Sequence, residues 1–452
     1  MPDGGAQRIA PGVSGLALFR MLPRFRRDSL GTFSDLVRRY GHTVRFKGLL
    51  TAYLFSHPRD IEHVLQTNQQ NYLKGRIYAE TRSSIGEGLL VSEGDFWRRQ
   101  RRLAQPAFHR QRLAGLARVM TGSTVEMLDV WEDYARSGQA LDVSAEMKRL
   151  ALRIVGLTLF STELGGGMDV IGRSLEVARA HFLRRMWQPL RLPVSVPTRP
   201  NRIYRRAIRE AEQVIYQIIA EHRRRPDANP DDLLSMLMLA RDEETGAQMS
   251  DRQLRDEAAT ILTAGHETTA VALSWTWYLL SRHEEVERKL RAELSAVLAG
   301  RTPTFEDLPR LEYTLMVVEE ALRLYPPAWV VGRRAIKDDE VGGWRVEAGS
   351  EVILSPYVTQ RHPDFWDDPE SFRPERFLPD GLAARPRFAY FPFGGGSRVC
   401  IGSNFALMEA QLVLATVAQK YRLRLLPGHA VEPEASFTLH PRKGIMMSLQ
   451  KV

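Results

Sequence analysis

The sequence predicts a mainly α-helical protein with a minor β region, an α-rich α+β fold in a single domain spanning residues 1–452. Three observations carry that expectation. From about residue 94 to residue 325, long stretches repeat apolar residues at three- and four-residue spacing. After Pro326 and Pro327 the texture changes to short apolar runs separated by Gly and charged turns. No Gly/Ser linker, repeat or low-complexity segment divides the chain, so its length is read as one large domain.

The helices follow from local signals. "GDFWRRQRRLAQPAF" starts after Gly94 and stops near Pro106, where a missing N–H ends the ladder. "EMKRLALRIVGLTLF" and "RRAIREAEQVIYQIIAEHRRR" each carry one apolar stripe. A Ser250/Asp251 start signal opens a helix of some thirty residues ending near His283. "EEVERKLRAELSAVL" is closed by Gly300, and "LEYTLMVVEEALRLYPP" by its prolines. "AWVVGRRAIK", "GWRVEAGSEVILSP" and "GIMMSLQKV" read as short strands, and "SNFALMEAQLVLATVAQKY" as a last helix.

Composition narrows the function classes. The formal charge is +9, in basic runs such as "RFRR" (24–27), "RRQRR" (98–102) and "RPNRIYRR" (199–206). These are solvated helix faces or a docking surface for an acidic partner. Without zinc-ligand spacing or aromatic-interleaved basic motifs, no nucleic-acid partner is expected. A single cysteine excludes an internal disulfide and fits a reducing, cytoplasmic compartment. The N-terminus has an early acid and an arginine-broken apolar stretch, so it reads as neither signal peptide nor membrane anchor. The longest apolar run, "AATILTAGHETTAVALSWTWYLL", holds His266 and Glu267 at its centre, which suits a helix buried in protein.

The lone cysteine sits in "FPFGGGSRVCIG", residues 391–402. A single cysteine is most often a small buried hydrophobe. This one is flanked by features that stabilise a thiolate: a following helix N-terminus, Arg398 two residues away, and glycines that let a flat group approach. Protease-type signatures and multi-ligand zinc spacing are absent. A single axial thiolate to a haem iron needs one cysteine only.

Phe393, Gly396, Arg398, Cys400 and Gly402 match the Phe-x-x-Gly-x-Arg-x-Cys-x-Gly signature, and here the chain resembles the cytochrome P450 family. Further motifs appear in the family's order. Glu320 and Arg323 match its Glu-x-x-Arg, and Arg376 in "RPERF" supplies a third member. The resemblance implies that these three form a buried ion-pair cluster locking the loop that leads to the cysteine. "AGHETT", Ala264 to Thr269, lies mid-helix. There a Thr hydroxyl can bond back to the carbonyl four residues earlier and, with Gly265, bend or open the helix. In the family this segment crosses the haem, which implies that Thr268 hydrogen-bonds dioxygen and Glu267 relays protons. Trp97 and Arg101 match Trp-x-x-x-Arg. With Arg398 and Arg333 (or Arg334 in its place) they are the expected partners of the haem propionates, and His109 is a further possible contact.

The resemblance covers nearly the whole chain and implies the cytochrome P450 fold, with haem b between the long central helix and the helix after the cysteine. The implied activity is that of a haem-thiolate monooxygenase, with Cys400 as iron ligand, inserting one oxygen atom of dioxygen into an apolar substrate. A peroxide-driven peroxygenase and a non-catalytic haem-binding protein are the alternatives; the Glu267/Thr268 pair favours the dioxygen route. By analogy the substrate pocket is lined by Ala264, Ala328, Val330, Val331 and Phe437, with the loop "GRIYAETRSSIGEGLL" as one wall. Each of these is otherwise ordinary core. "AGHETT" and "LRLYPP" look closer to the fatty-acid-hydroxylase and microsomal branches than to the camphor-hydroxylase branch, pointing to a lipid, terpenoid or steroid-like molecule. No membrane anchor or fused reductase is read. A monomer is expected to take electrons from a ferredoxin- or flavodoxin-type donor with its NAD(P)H reductase, docking at Arg98, Arg99, Arg102 and Arg110.

Overall fold

The computed structural model describes residues 8–161, 166–186, 188, 192–224 and 232–452. The chain divides into two compact units, each built from separated segments. The first comprises 1–80, 322–371 and 378–400; the second comprises 81–321, 372–377 and 401–452.

The first unit is organised on a six-stranded sheet whose order runs Gly12–Ser14, Thr43–Lys47, Thr51–Phe55, Glu351–Leu354, Val331–Ala335, Tyr72–Lys74. Strands Val331–Ala335 and Glu351–Leu354 alternate buried and half-buried residues, the period-2 pattern of a sheet with one face on a core. Antiparallel pairing sets Val44 opposite Leu54, and parallel pairing sets Tyr53 opposite Val352. Tyr53, Phe55, Ile61, Leu65, Val352, Leu354, Phe388 and Phe391 fill that core. A satellite hairpin, Asp339–Val341 with Trp344–Val346, turns at Gly342 and Gly343, whose φ of 60° and 78° fit a tight hairpin turn.

The second unit is helical. Its central helix, Asp251–Arg282, starts on a capping box in which Ser250 Oγ accepts from Gln253 N–H and Gln253 Oε1 accepts from Ser250 N–H. Ala258, Leu262, Ala270, Val271, Leu273 and Trp275 are all buried on it, so it is apolar around most of its girth, as a core helix must be. It packs along Val143–Phe160, where a Cβ on Gly265 would lie 3.2 Å from Val155 Cγ2. The glycine thus permits close helix approach. The helix assignment is unbroken through residues 264–269, so the local opening expected at Thr268 and Gly265 is not found. Ser403–Lys420 is nearly continuously buried from Met408 to Ala418. Two small sheets complete the unit: Leu141–Asp142 with Tyr421–Leu425 and Met446–Lys451, and the hairpin Pro433–Ala435/Leu439–Pro441.

The mainly α, minor β expectation is met. What the sequence reading did not single out was the N-terminal pair of strands, the helix Arg110–Ser137 and the late hairpin. No helix among the described residues is long and apolar enough to cross a membrane.

Candidate active site

In the first unit, the cysteine turn is held by its own backbone. Gly394 N–H donates to Phe391 C=O at 2.9 Å, and Cys400 N–H to Phe393 C=O at 3.0 Å. The φ of Gly396 is 66°, and a Cβ there would stand 1.8 Å from the Leu65 carbonyl oxygen, so only glycine fits. Gly395 is extended, but Phe388 fills the space a side chain would need. Ser397 ties the turn down by donating its N–H and Oγ–H to Gln69 Oε1 at 3.0 and 2.6 Å. Gly402 is different: its φ is −91° and its surroundings leave room for a Cβ, so the backbone does not require glycine there.

The turn leaves the Cys400 thiol exposed, which removes the reading of a buried small hydrophobe. Among the described residues, the one group of three His, Cys or carboxylate side chains close enough to share an ion is His42, His362 and Asp364, and it excludes Cys400. A presented thiol with no companion ligands suits a haem iron, which takes one axial thiolate and its other donors from the macrocycle.

The residues expected to lock the loop behave as structural members. Arg323 is fully buried and donates to the carbonyls of Gln360 (2.8 Å), Pro369 (2.7 Å) and Ser371 (3.0 Å), with its guanidinium 4.8 Å over the Trp366 ring. In the second unit, Glu320, also fully buried, accepts from Arg373 N–H at 2.9 Å and pairs with Arg376 at 3.3 Å. Gln360, which the sequence reading missed, joins Arg323 to the cysteine turn. Its Nε2 donates to the Leu322 and Arg323 carbonyls, and its Oε1 accepts from Phe391 N–H at 3.0 Å.

On the central helix, Thr268 donates its hydroxyl to the Ala264 carbonyl at 2.5 Å, the back-bond expected from the sequence. Glu267 is half-buried, and its Oε1 accepts from Thr438 Oγ–H at 2.8 Å. Thr438 lies at the tip of the late hairpin beside Phe437, whose ring meets Phe182 edge-on at 5.4 Å. No local sequence signal marks Thr438; only the hairpin brings it to Glu267. His266 next door is buried and neutral, burial holding its pKa down to about 4 with the Lys148 charge adding to the effect. Because Thr438 fixes the Glu267 carboxylate, Thr438→Val is expected to lower product formed per electron pair roughly 10-fold, with KM unchanged. Oxygen and product balances in steady state check this, and an unchanged ratio would remove Thr438 from that role.

The other expected residues divide between the units. Arg333 lies on the buried face of its strand with Val331 and Ala335, and also donates to the Gly332 carbonyl at 2.9 Å. Arg334 points to the other face, opposite Glu351, which favours Arg333. Phe393 and Arg398 are half-buried in the same unit. In the second unit, Trp97 is buried and Arg101 half-buried one turn along Gly94–Ala104, while His109 is exposed.

Val331 belongs to the core cluster of the first unit with Tyr53 and Val352, because strand alternation turns it inward; Ala328 and Val330 are half-buried. The arginines proposed for docking are largely engaged within the protein. Arg102 pairs with Asp242 (3.0 Å) and Glu244 (2.7 Å), Arg98 pairs with Asp95, and Arg99 donates to the Gln248 carbonyl. The side chain of Arg110 lies outside the described residues. In the loop expected to wall the pocket, Glu87 N–H and Leu89 N–H are held by Asp256 (2.8 Å) and Glu257 (3.1 Å) of the central helix.

The cytochrome P450 family model matches residues 11–449, and the chain belongs to that family. It is 39% identical over 433 residues to cyclooctatin synthase of Streptomyces melanosporofaciens, covering 95% of this chain and 93% of that protein. It is 37% identical to pentalenene oxygenase of Streptomyces avermitilis, covering 97% and 96%. The crystal structure of the cytochrome P450DA heme domain superposes with a TM-score of 0.86 at 26% identity, covering 98% of each chain. The protein is a cytochrome P450 monooxygenase with haem b as cofactor. When bound, the haem supplies dioxygen activation.

Proposed function

We propose that this monooxygenase oxidises a polycyclic terpenoid, inserting one oxygen atom into an unactivated C–H or double bond. The observation carrying this is the identity, above 35% over nearly full length, to proteins named cyclooctatin synthase and pentalenene oxygenase. A 31%-identical carotene epsilon-monooxygenase of Arabidopsis thaliana adds a further isoprenoid. The apolar groups Ala264, Ala328, Val330 and Phe437, the last backed by Phe182, suit such a hydrocarbon. In this reading Cys400 ligates the iron, and Trp97, Arg101, Arg333 and Arg398 hold the propionates. The Thr268 hydroxyl, oriented by Ala264, and the Glu267 carboxylate deliver protons. Gly402, with no side chain, lets the porphyrin lie close. The protein works as a cytoplasmic, monomeric, single catalytic domain supplied by a separate ferredoxin or flavodoxin and its NAD(P)H reductase.

The test is to incubate the holoprotein with cyclic terpenes under two regimes, ferredoxin with reductase and NADPH, or hydrogen peroxide alone. A product heavier by one oxygen, formed only in the first, supports the reading; turnover with peroxide alone would make it a peroxygenase. Thr268→Ala in the first regime is expected to cut product roughly 10²-fold while electron use continues and peroxide accumulates. Unchanged coupling would take Thr268 out of proton delivery.

A further inference from the structure

Three histidines and an aspartate gather in the first unit, none of them assigned to the oxygenase site. Strand pairing brings the first two together. Thr43 lies opposite Phe55, so His42 and Ser56, one step beyond, are neighbours too, and Ser56 N–H donates to the His42 carbonyl at 2.9 Å. His57 follows, its ring edge-on to that of His42 at 5.0 Å. The other two arrive from the loop after the short helix Pro356–Thr359. Thr359 Oγ–H donates to the Ser56 carbonyl and His362 N–H to the Thr359 carbonyl, each at 3.1 Å. Phe365 N–H and Trp366 N–H both donate to the His362 carbonyl at 3.1 Å, closing the turn that carries Asp364. These bonds fix where the side chains of His42, His362 and Asp364 start.

The side chains converge on one carboxylate. His42 Nε2 stands 3.0 Å from Asp364 Oδ2, and His362 Nδ1 stands 3.8 Å from the same oxygen. One donor atom from each of the three residues lies within 4.8 Å of the other two. The Ser56 hydroxyl donates to the His42 carbonyl at 3.3 Å, so its oxygen is left to accept from His42 Nδ1–H at 3.1 Å. A bond of that kind orients a metal-binding imidazole and leaves Nε2 with a lone pair. Here that lone pair faces a carboxylate oxygen, and two electron-rich atoms 3.0 Å apart call for a cation, either a proton or a metal ion.

The second imidazole decides between them. A proton satisfies His42 and Asp364 and gives no part to His362, whose ring lies 4.4 Å from that of His42. His362 Nδ1 now accepts a long bond from Asp364 N–H, 3.2 Å, which a metal ion would replace. Two imidazole nitrogens and one carboxylate form a donor set of the zinc type, whereas calcium and magnesium take oxygen donors. We propose that His42, His362 and Asp364 form a site for a divalent transition metal of that type. The half-buried Phe365 ring walls it, 5.5 Å from His42 and 5.4 Å from His362, and the exposed Asp364 gives the ion access. The ion joins the start of strand Thr43–Lys47 to the loop that follows Gln360. That loop supplies the Pro369 and Ser371 carbonyls held by Arg323, so the clamp acts on the frame behind the cysteine turn. The inference stands independently of the terpenoid reading.

The test is equilibrium dialysis of the holoprotein against zinc chloride in a non-chelating buffer, followed by X-ray absorption at the zinc edge, which is separate from that of haem iron. Wild type is expected to retain zinc in equimolar amount, with nitrogen neighbours at about 2.0–2.1 Å. Asp364→Asn alters an exposed side chain, and His42→Phe keeps the ring packing while losing the donor nitrogen. An unchanged Soret band and circular dichroism verify both folds. Each variant is expected to bind zinc at least about 10-fold more weakly and to lose the rise in thermal midpoint that zinc gives wild type. Failure of wild type to retain zinc, or equal retention by both variants, overturns the proposal. So would sulfur scattering at the zinc, which would put the ion on Cys400 instead.

Discussion

Cys400→Ala is expected to abolish turnover and the red-shifted Soret band of the reduced, carbon monoxide-bound protein, while leaving the fold intact. The two halves of that expectation have separate grounds. The turn around residue 400 is fixed by backbone bonds that any L-residue keeps, chiefly the residue 400 N–H to Phe393 C=O at 3.0 Å. The electronic role has no such redundancy, because a methyl group cannot donate to iron. Difference spectra before and after carbon monoxide, beside a thermal melt, read both halves at once. A surviving thiolate-type band in Cys400→Ala would end the assignment, and a collapsed melt would mean that the side chain has a structural role.

Much of this site was legible in the sequence because its demands are local. Gly396 is forced by a positive φ and by the Leu65 carbonyl, a constraint that fixes residue type at a fixed place in the turn. The Thr268 back-bond is an i−4 contact within one helix, so spacing alone gives it. Helix boundaries such as the Ser250 start were legible for the same reason, since a cap is satisfied within three residues. Thr438 and Gln360 were not legible. Each acts through chain segments far apart in sequence, 171 residues between Thr438 and Glu267 and 31 between Gln360 and Phe391. The acids at 242 and 244 that engage Arg102 were not legible either, since composition shows the cations but not their partners.

Arg323→Ala is expected to cost about 3–5 kcal/mol, a large share of the roughly 5–15 kcal/mol that holds a typical domain folded. The guanidinium is wholly buried and is the donor for three carbonyls, those of Gln360, Pro369 and Ser371. Alanine would leave these acceptors in a space water does not reach, and each buried unsatisfied polar group costs about 1–3 kcal/mol. The Trp366 face would also lose its cation, with Arg385 remaining 3.8 Å over the same ring. The damage is not confined to the residue. Gln360 reads the Arg323 carbonyl with one end of its amide and the Phe391 N–H with the other, so loosening this hub loosens the entry to the cysteine turn. Urea unfolding and the fraction of thiolate-type haem should therefore fall together in Arg323→Ala. Arg323→Lys separates charge from geometry: an ammonium keeps the charge but cannot span three divergent carbonyls in one plane, so it should recover only part of the loss. If lysine restored full stability, charge rather than the fork would be what the site requires; if alanine cost under about 1 kcal/mol, the hub would not be holding the turn at all.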